Sequence, residues 1–204
     1  MKETLDIVKE VSRSAAEQTT TALSYFLQSK VILKPSFAEI ISISEIHKNI
    51  YFQIREVGVL IFAKLRAGLE GELIFSLDEA NAYRLVNISS MQRNEKEEEK
   101  LGAITEMGMS ILKEVGNMVV GSYLTALSVA LKKMITPPLP ILISGSLEKI
   151  FSDVIYNPYI PVKQIQRYFV QTDFEVPKEN IKGTLSLALT ANSAEDIKQH
   201  CQNK

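Results

Sequence analysis

Apolar and polar positions alternate along this chain with two different periods, and the places where the period changes mark out its elements. From Lys2 to about Gln28 the pattern is that of a helix with one buried face. Short strands around Val31 to Leu33 and Ile40 to Ser44 follow. Segments Ile50 to Arg55, Val57 to Leu65 and Gly71 to Leu77 are rich in Val, Ile, Leu and Phe with turn signals between them, so they read as strands, the last two forming a hairpin around Gly68. A helix from Asp78 to Val86 comes next. The polar run QRNEKEEEK, Gln92 to Lys100, marks either a linker or the first turns of another helix. That helix extends from about Leu101 to Lys133, and TPPLP at Thr136 to Pro140 turns the chain out of it into a strand, Pro140 to Ser144. The remainder predicts a short helix near Leu147 to Val154, strands from Gln164 to Phe174 and Gly183 to Leu189, and a terminal helix from Ser193.

The pattern occurs twice. IVKEVSRSAAEQTTTALS beginning at Ile7 aligns without gaps on ILKEVGNMVVGSYLTALS beginning at Ile111, pairing Glu10 with Glu114 and Thr21 to Ser24 with Thr125 to Ser128. LEGELIFSL from Leu69 likewise resembles IKGTLSLAL from Ile181. Two copies of helix then hairpin suggest a duplicated unit folded about a pseudo-twofold axis, since a solenoid would need shorter and more numerous repeats. The expectation is a single α+β domain over 1–204, built from repeats of about 1–91 and 101–200, with two long helices packed on a mixed or antiparallel sheet.

Composition narrows the function. A chain of 204 residues, 46% hydrophobic and 23% charged, can bury a full core. Its net charge of −1 gives no electrostatic case for nucleic acid. A single Cys201 excludes an intramolecular disulfide, and His47 and His200 lack the companions of a zinc motif. The N-terminus lacks the apolar core of a signal peptide and no run approaches bilayer length, so a cytoplasmic protein without membrane partners is expected.

One stretch carries candidate chemistry. At about 100° per residue, Ser110, Glu114, Asn117 and Gly121 fall within an arc of about 60° on one helical face. Ile104, Ile111, Val115, Met118, Val119, Ala126 and Val129 lie about 110° away and supply the face to be buried. A polar stripe of this kind is ordinarily a solvated surface. An uncharged amide beside a carboxylate can also position water, because the carbonyl of Asn117 accepts and its NH₂ donates. Pro140, with twenty-two residues between it and Asn117, either sets this helix against the sheet or simply stops it. Ser110 has no neighbouring His in sequence to activate it as a nucleophile and reads as support for the helix face.

Ser110, Glu114, Asn117 and Pro140, with their spacing and the surrounding KEVGNMVVGSYLTALS, resemble the signature of the CheC, CheX and FliY phosphatases of bacterial chemotaxis. The order of duplicated helix and hairpin is most like CheC. The resemblance implies hydrolysis of the aspartyl phosphate of a CheY-like response regulator, ending a chemotaxis signal. Asn117 would place the water in line with the phosphorus, and Glu114 would pair with the regulator's active-site Lys. The regulator would supply the Mg²⁺, so the chain would need no metal or cofactor of its own. CheD, the receptor deamidase that CheC proteins can bind, is a further partner the resemblance implies. The alternative is a non-catalytic module, a flagellar-switch scaffold or a regulator of CheD. The chain ends about fifteen residues after the last predicted strand, without the C-terminal rotor domain of FliY, which disfavours the scaffold.

The first copy departs from this pattern. Asp6 and Glu10 fit it, but Arg13 stands where Asn117 stands in the second copy, and Ser36, after Pro35, takes the place of Pro140. A guanidinium can grip a phosphate but cannot accept a hydrogen bond from an attacking water. Arg13 can equally pair with Glu10 or Glu17 at helical spacing. The first site is therefore expected to be degenerate, and Gly116 and Gly121 are replaced in it by Ser12 and Glu17.

Overall fold

The computed structural model describes residues 1–42, 57–92, 104–146 and 166–202 of the chain. In chain order these form α1 (Lys2–Leu27), β1 (Ile32–Leu33), β2 (Phe37–Ser42), β3 (Val57–Leu65), β4 (Gly71–Asp78) and α2 (Glu79–Gln92). Then come α3 (Glu106–Leu131), β5 (Ile141–Ser146), β6 (Gln166–Val176), β7 (Ile181–Leu189) and α4 (Ala191–Gln202). The expected strand at Ile50 to Arg55 and helix at Leu147 to Val154 lie outside the described residues, as does most of the run from Gln92 to Lys100.

The fold is α+β, with helices packed on an antiparallel sheet. The sheet has seven strands in the order β1-β6-β7-β4-β3-β5, with β2 also paired to β6. Every described pairing is antiparallel. At its centre β4 meets β7, so the two strands recognised as echoes of each other in the sequence lie side by side, Gly71 opposite Leu189 and Ser76 opposite Thr184. The β3–β4 hairpin turns at Gly68, whose φ of +88° favours glycine. A Cβ there would also stand 2.3 Å from the Met134 carbonyl oxygen.

All four helices among the described residues contribute to one core with the sheet. Leu73, Phe75 and Leu77 of β4 join Leu23 and Leu27 of α1, Leu85 of α2, Leu124 and Leu127 of α3 and Ile197 of α4. The other face of the sheet is buried too, since Leu60, Ile74 and Phe169 are nearly solvent-free and Glu72 is 7% exposed beside Arg167, at 3.4 Å. Burial outweighs this ion pair and pushes the Glu72 carboxyl above its ordinary range.

Residues matched between the two copies take matched places. The buried residues of α1 are Thr4, Val8, Ser12, Ala15, Ala16, Thr19, Thr20, Leu23 and Leu27. Their counterparts Gly108, Leu112, Gly116, Val119, Val120, Tyr123, Leu124, Leu127 and Leu131 are all buried in α3. Both helices end on a left-handed residue, Gln28 with φ 46° and Lys132 with φ 50°. After each, a serine hydroxyl accepts a backbone N–H seven residues on, Val31 to Ser24 at 3.0 Å and Ile135 to Ser128 at 3.1 Å. Midway along, a hydrogen bond between the Ser12 and Tyr123 hydroxyls joins α1 to α3.

Several expectations about the elements need correcting. Helix α2 starts at Glu79 and runs to Gln92 rather than stopping at Val86, because Ser89 and Ser90 are buried and the Ser89 hydroxyl bonds back to the Leu85 carbonyl at 2.9 Å. Helix α3 begins at Glu106 instead of Leu101, where the Thr105 side chain accepts the Gly108 N–H at 3.0 Å. Val129, assigned to the buried face, is 73% exposed. By length and composition α3 is apolar enough to cross a membrane, contrary to the expectation that no run approaches this. Its apolar residues have another use, since one side of it packs into the core from Gly108 to Leu131.

Candidate functional site

Helix α3 is held from below and open above. Its buried residues recur at Ile111, Leu112, Val115, Gly116, Val119 and Val120, a stripe that points at the sheet and α1. Ser110, Glu114 and Asn117 are exposed on the opposite side, and Gly121 continues the row half-buried. The face is thus rigidly backed by a closely packed layer. Such backing suits a group that must hold a small molecule in line, because side chains on a packed helix keep their direction.

The individual groups differ in what they are free to do. The Ser110 hydroxyl donates to the Glu106 carbonyl at 3.1 Å, the preceding turn of its own helix. Pro140 is not on this face; it stands half-buried at the entry to β5, which pairs with β3 from Ile141 opposite Phe62. It is joined to α3 through the segment that leaves the helix at Lys132. Among the described residues, no group of three or more His, Cys, Asp and Glu side chains is arranged to hold a metal ion.

The matching face of α1 carries Asp6, Glu10, Arg13 and Glu17, all exposed. Arg13 makes two ion pairs there, Nη2 to Glu10 Oε1 at 2.6 Å and Nη1 to Glu17 Oε1 at 2.8 Å. The guanidinium holds the Glu10 carboxyl below its ordinary range and is itself held charged. Two carboxylates therefore engage three of the five guanidinium N–H donors. Between α1 and α3 runs a groove of about 590 Å³, with Ser14 and Gln18 on one wall and Ser122, Thr125 and Val129 on the other. Sequence reasoning did not anticipate it, because it arises from the way two helices lie together.

Known proteins resemble this chain both at this helix and along most of its length. The model of the CheC-like family matches residues 107–138, which span the amide, the carboxylate and the turn after α3. Over 176 residues the chain is 27% identical to the CheY-P phosphatase CheC of Bacillus subtilis (strain 168), covering 86% of this chain and 80% of that one. The fold is similar to that of FliY from Thermotoga maritima, with a TM-score of 0.74 at 19% identity over 100% of this chain and 98% of the other. It is also similar to that of the CheX–CheY–BeF3–Mg complex from Borrelia burgdorferi, with a TM-score of 0.57 at 18% identity over 87% of this chain and 96% of the other. The match of the CheC-like family model to α3, the 27% identity to a CheY-P phosphatase along most of the chain and the shared fold together make this protein similar to the CheC, CheX and FliY proteins.

Proposed function

We propose that this protein is a phosphatase of a CheY-like response regulator, acting in the cytoplasm to end a chemotaxis signal. The observation that carries the reading is the presentation of Asn117 and Glu114 on the outer face of a helix whose other side is locked into the core. An acyl phosphate on a receiver domain already has its Mg²⁺ and its leaving group, so a phosphatase need only place a water in line with the phosphorus. The Asn117 carbonyl accepts a hydrogen bond from that water, and being uncharged the amide does not repel the phosphoryl oxygens. Glu114 fixes the register by pairing with the lysine of the receiver's site. Ser110 supports the turn before it, and Pro140 directs the chain from α3 into the sheet.

No cofactor of its own enters this scheme, since the metal belongs to the substrate. The CheX–CheY complex supports a receiver as the docked partner. CheD remains a second partner under this reading, and a non-catalytic scaffold is the alternative. A scaffold has no use for Asn117. The two are separated by release of inorganic phosphate from phosphorylated CheY of Bacillus subtilis, followed with and without the protein. Faster release supports the phosphatase, and binding with an unchanged rate supports the scaffold.

A further inference from the structure

Helix α3 carries three glycines, and two of them, Gly116 and Gly121, stand on different sides for different reasons. A Cβ on Gly116 would come within 2.6 Å of Ile61 Cγ2 on β3, so this place must be bare for the helix to lie against the sheet. A Cβ on Gly121 would meet no atom within 4 Å. Its φ is not positive, so the backbone makes no demand for glycine either. A glycine inside a helix costs stability, because it loses the most conformational freedom and packs nothing.

The first copy supplies an internal control. At the place matching Gly121, α1 carries Glu17, whose carboxylate reaches Arg13 at 2.8 Å. That helix keeps the same buried pattern, so the fold accepts a large side chain there. What keeps Gly121 bare lies outside the fold. It sits four residues after Asn117, on the same face.

We propose that Gly121 is a docking determinant: its missing side chain lets the backbone of a phosphorylated receiver domain close onto α3 and bring the phosphoaspartate to Asn117. This rests on the phosphatase reading. A side chain one turn from the amide would prop the two surfaces apart and weaken docking, a loss that appears as a higher half-saturating concentration of the regulator. The α1 face is closed to the same docking twice over, by Glu17 in the place of Gly121 and by Arg13 in the place of Asn117.

The test compares the full-length wild type with Gly121→Ala, Gly121→Leu and Asn117→Ala. Each is titrated against CheY of Bacillus subtilis phosphorylated from acetyl phosphate with Mg²⁺, and thermal midpoints are measured in parallel. The Gly121 variants should melt no lower than wild type, with Gly121→Ala higher. Gly121→Leu should raise the half-saturating concentration of regulator about tenfold or more, with a smaller change in maximal rate. A Gly121→Leu protein that saturates like wild type while Asn117→Ala has lost turnover overturns the docking role and leaves the phosphatase standing. A lower melting point for Gly121→Ala also overturns it, since the fold would then need the glycine. A wild-type protein that does not speed phosphate release removes both readings.

Discussion

At the scale of single residues, Ser110, Glu114 and Asn117 share a face but not a task. The Ser110 hydroxyl is satisfied by the Glu106 carbonyl, so Ser110→Ala should keep the stimulated rate within about threefold, a loss below about 1 kcal/mol. A loss as large as that of Asn117→Ala would instead place the hydroxyl at the substrate. Glu114 is proposed to bind rather than to react. Glu114→Ala should raise the half-saturating concentration of the regulator, and Glu114→Lys should raise it further through like-charge repulsion. Unchanged saturation in both variants would remove Glu114 from the interface. Residue types and spacing alone brought these three together, because the period of a helix is fixed by backbone geometry. The placement of Val129 was not legible in the same way: an apolar residue on the rim of a groove between helices has the same local pattern as one in the core.

At the scale of elements, strands and hairpins were readable from the chain, and helix ends were less so. The apolar richness of Val57 to Leu65 and Gly71 to Leu77, with turn signals between them, located β3 and β4 closely, since strands buried on both faces read as nearly continuous apolar runs. Helix α2 ran past its expected end because buried serines outweighed their weak helix propensity. The ends of α1 and α3 are also informative about stability. Lys132 sits at φ 50°, a conformation that costs an L residue about 1 kcal/mol relative to glycine. Lys132→Gly should therefore raise the unfolding free energy by roughly 0.5–1 kcal/mol in a denaturant titration. A loss would mean that the lysine side chain stabilises the turn. In the sheet, Glu72 has a raised folded-state carboxyl, so the folded protein binds the proton more tightly than the unfolded chain, whose ordinary value is 4.5. Its contribution to stability falls as pH rises above that value. The stability of Glu72→Gln relative to wild type should then increase from pH 4 toward neutrality, and a constant difference across that range would contradict the assignment.

At the scale of the whole molecule, α1 and α3 share matched burial and matched ends, and β4 pairs with β7 at the centre of the sheet. The architecture is near-symmetric while the two exposed faces are not, and the asymmetry was legible in Arg13 and Glu17. The engagement of Arg13 by both Glu10 and Glu17 was not, because either pairing fits the helical spacing. The account predicts that an Asn117→Ala protein regains some activity with Arg13→Asn and more with Glu17→Gly added, since the first change supplies the amide and the second bares the docking face. Recovery by Arg13→Asn equal to that of the double change would show that Glu17 does not obstruct. The most direct measurement of the central claim is release of phosphate from phosphorylated CheY of Bacillus subtilis by wild-type and Asn117→Ala protein at saturating concentration. The account predicts that the wild type accelerates release and that the variant, folded to the same thermal midpoint, loses about 2 to 4 kcal/mol of transition-state stabilisation. Acceleration by Asn117→Ala equal to that of wild type would contradict it.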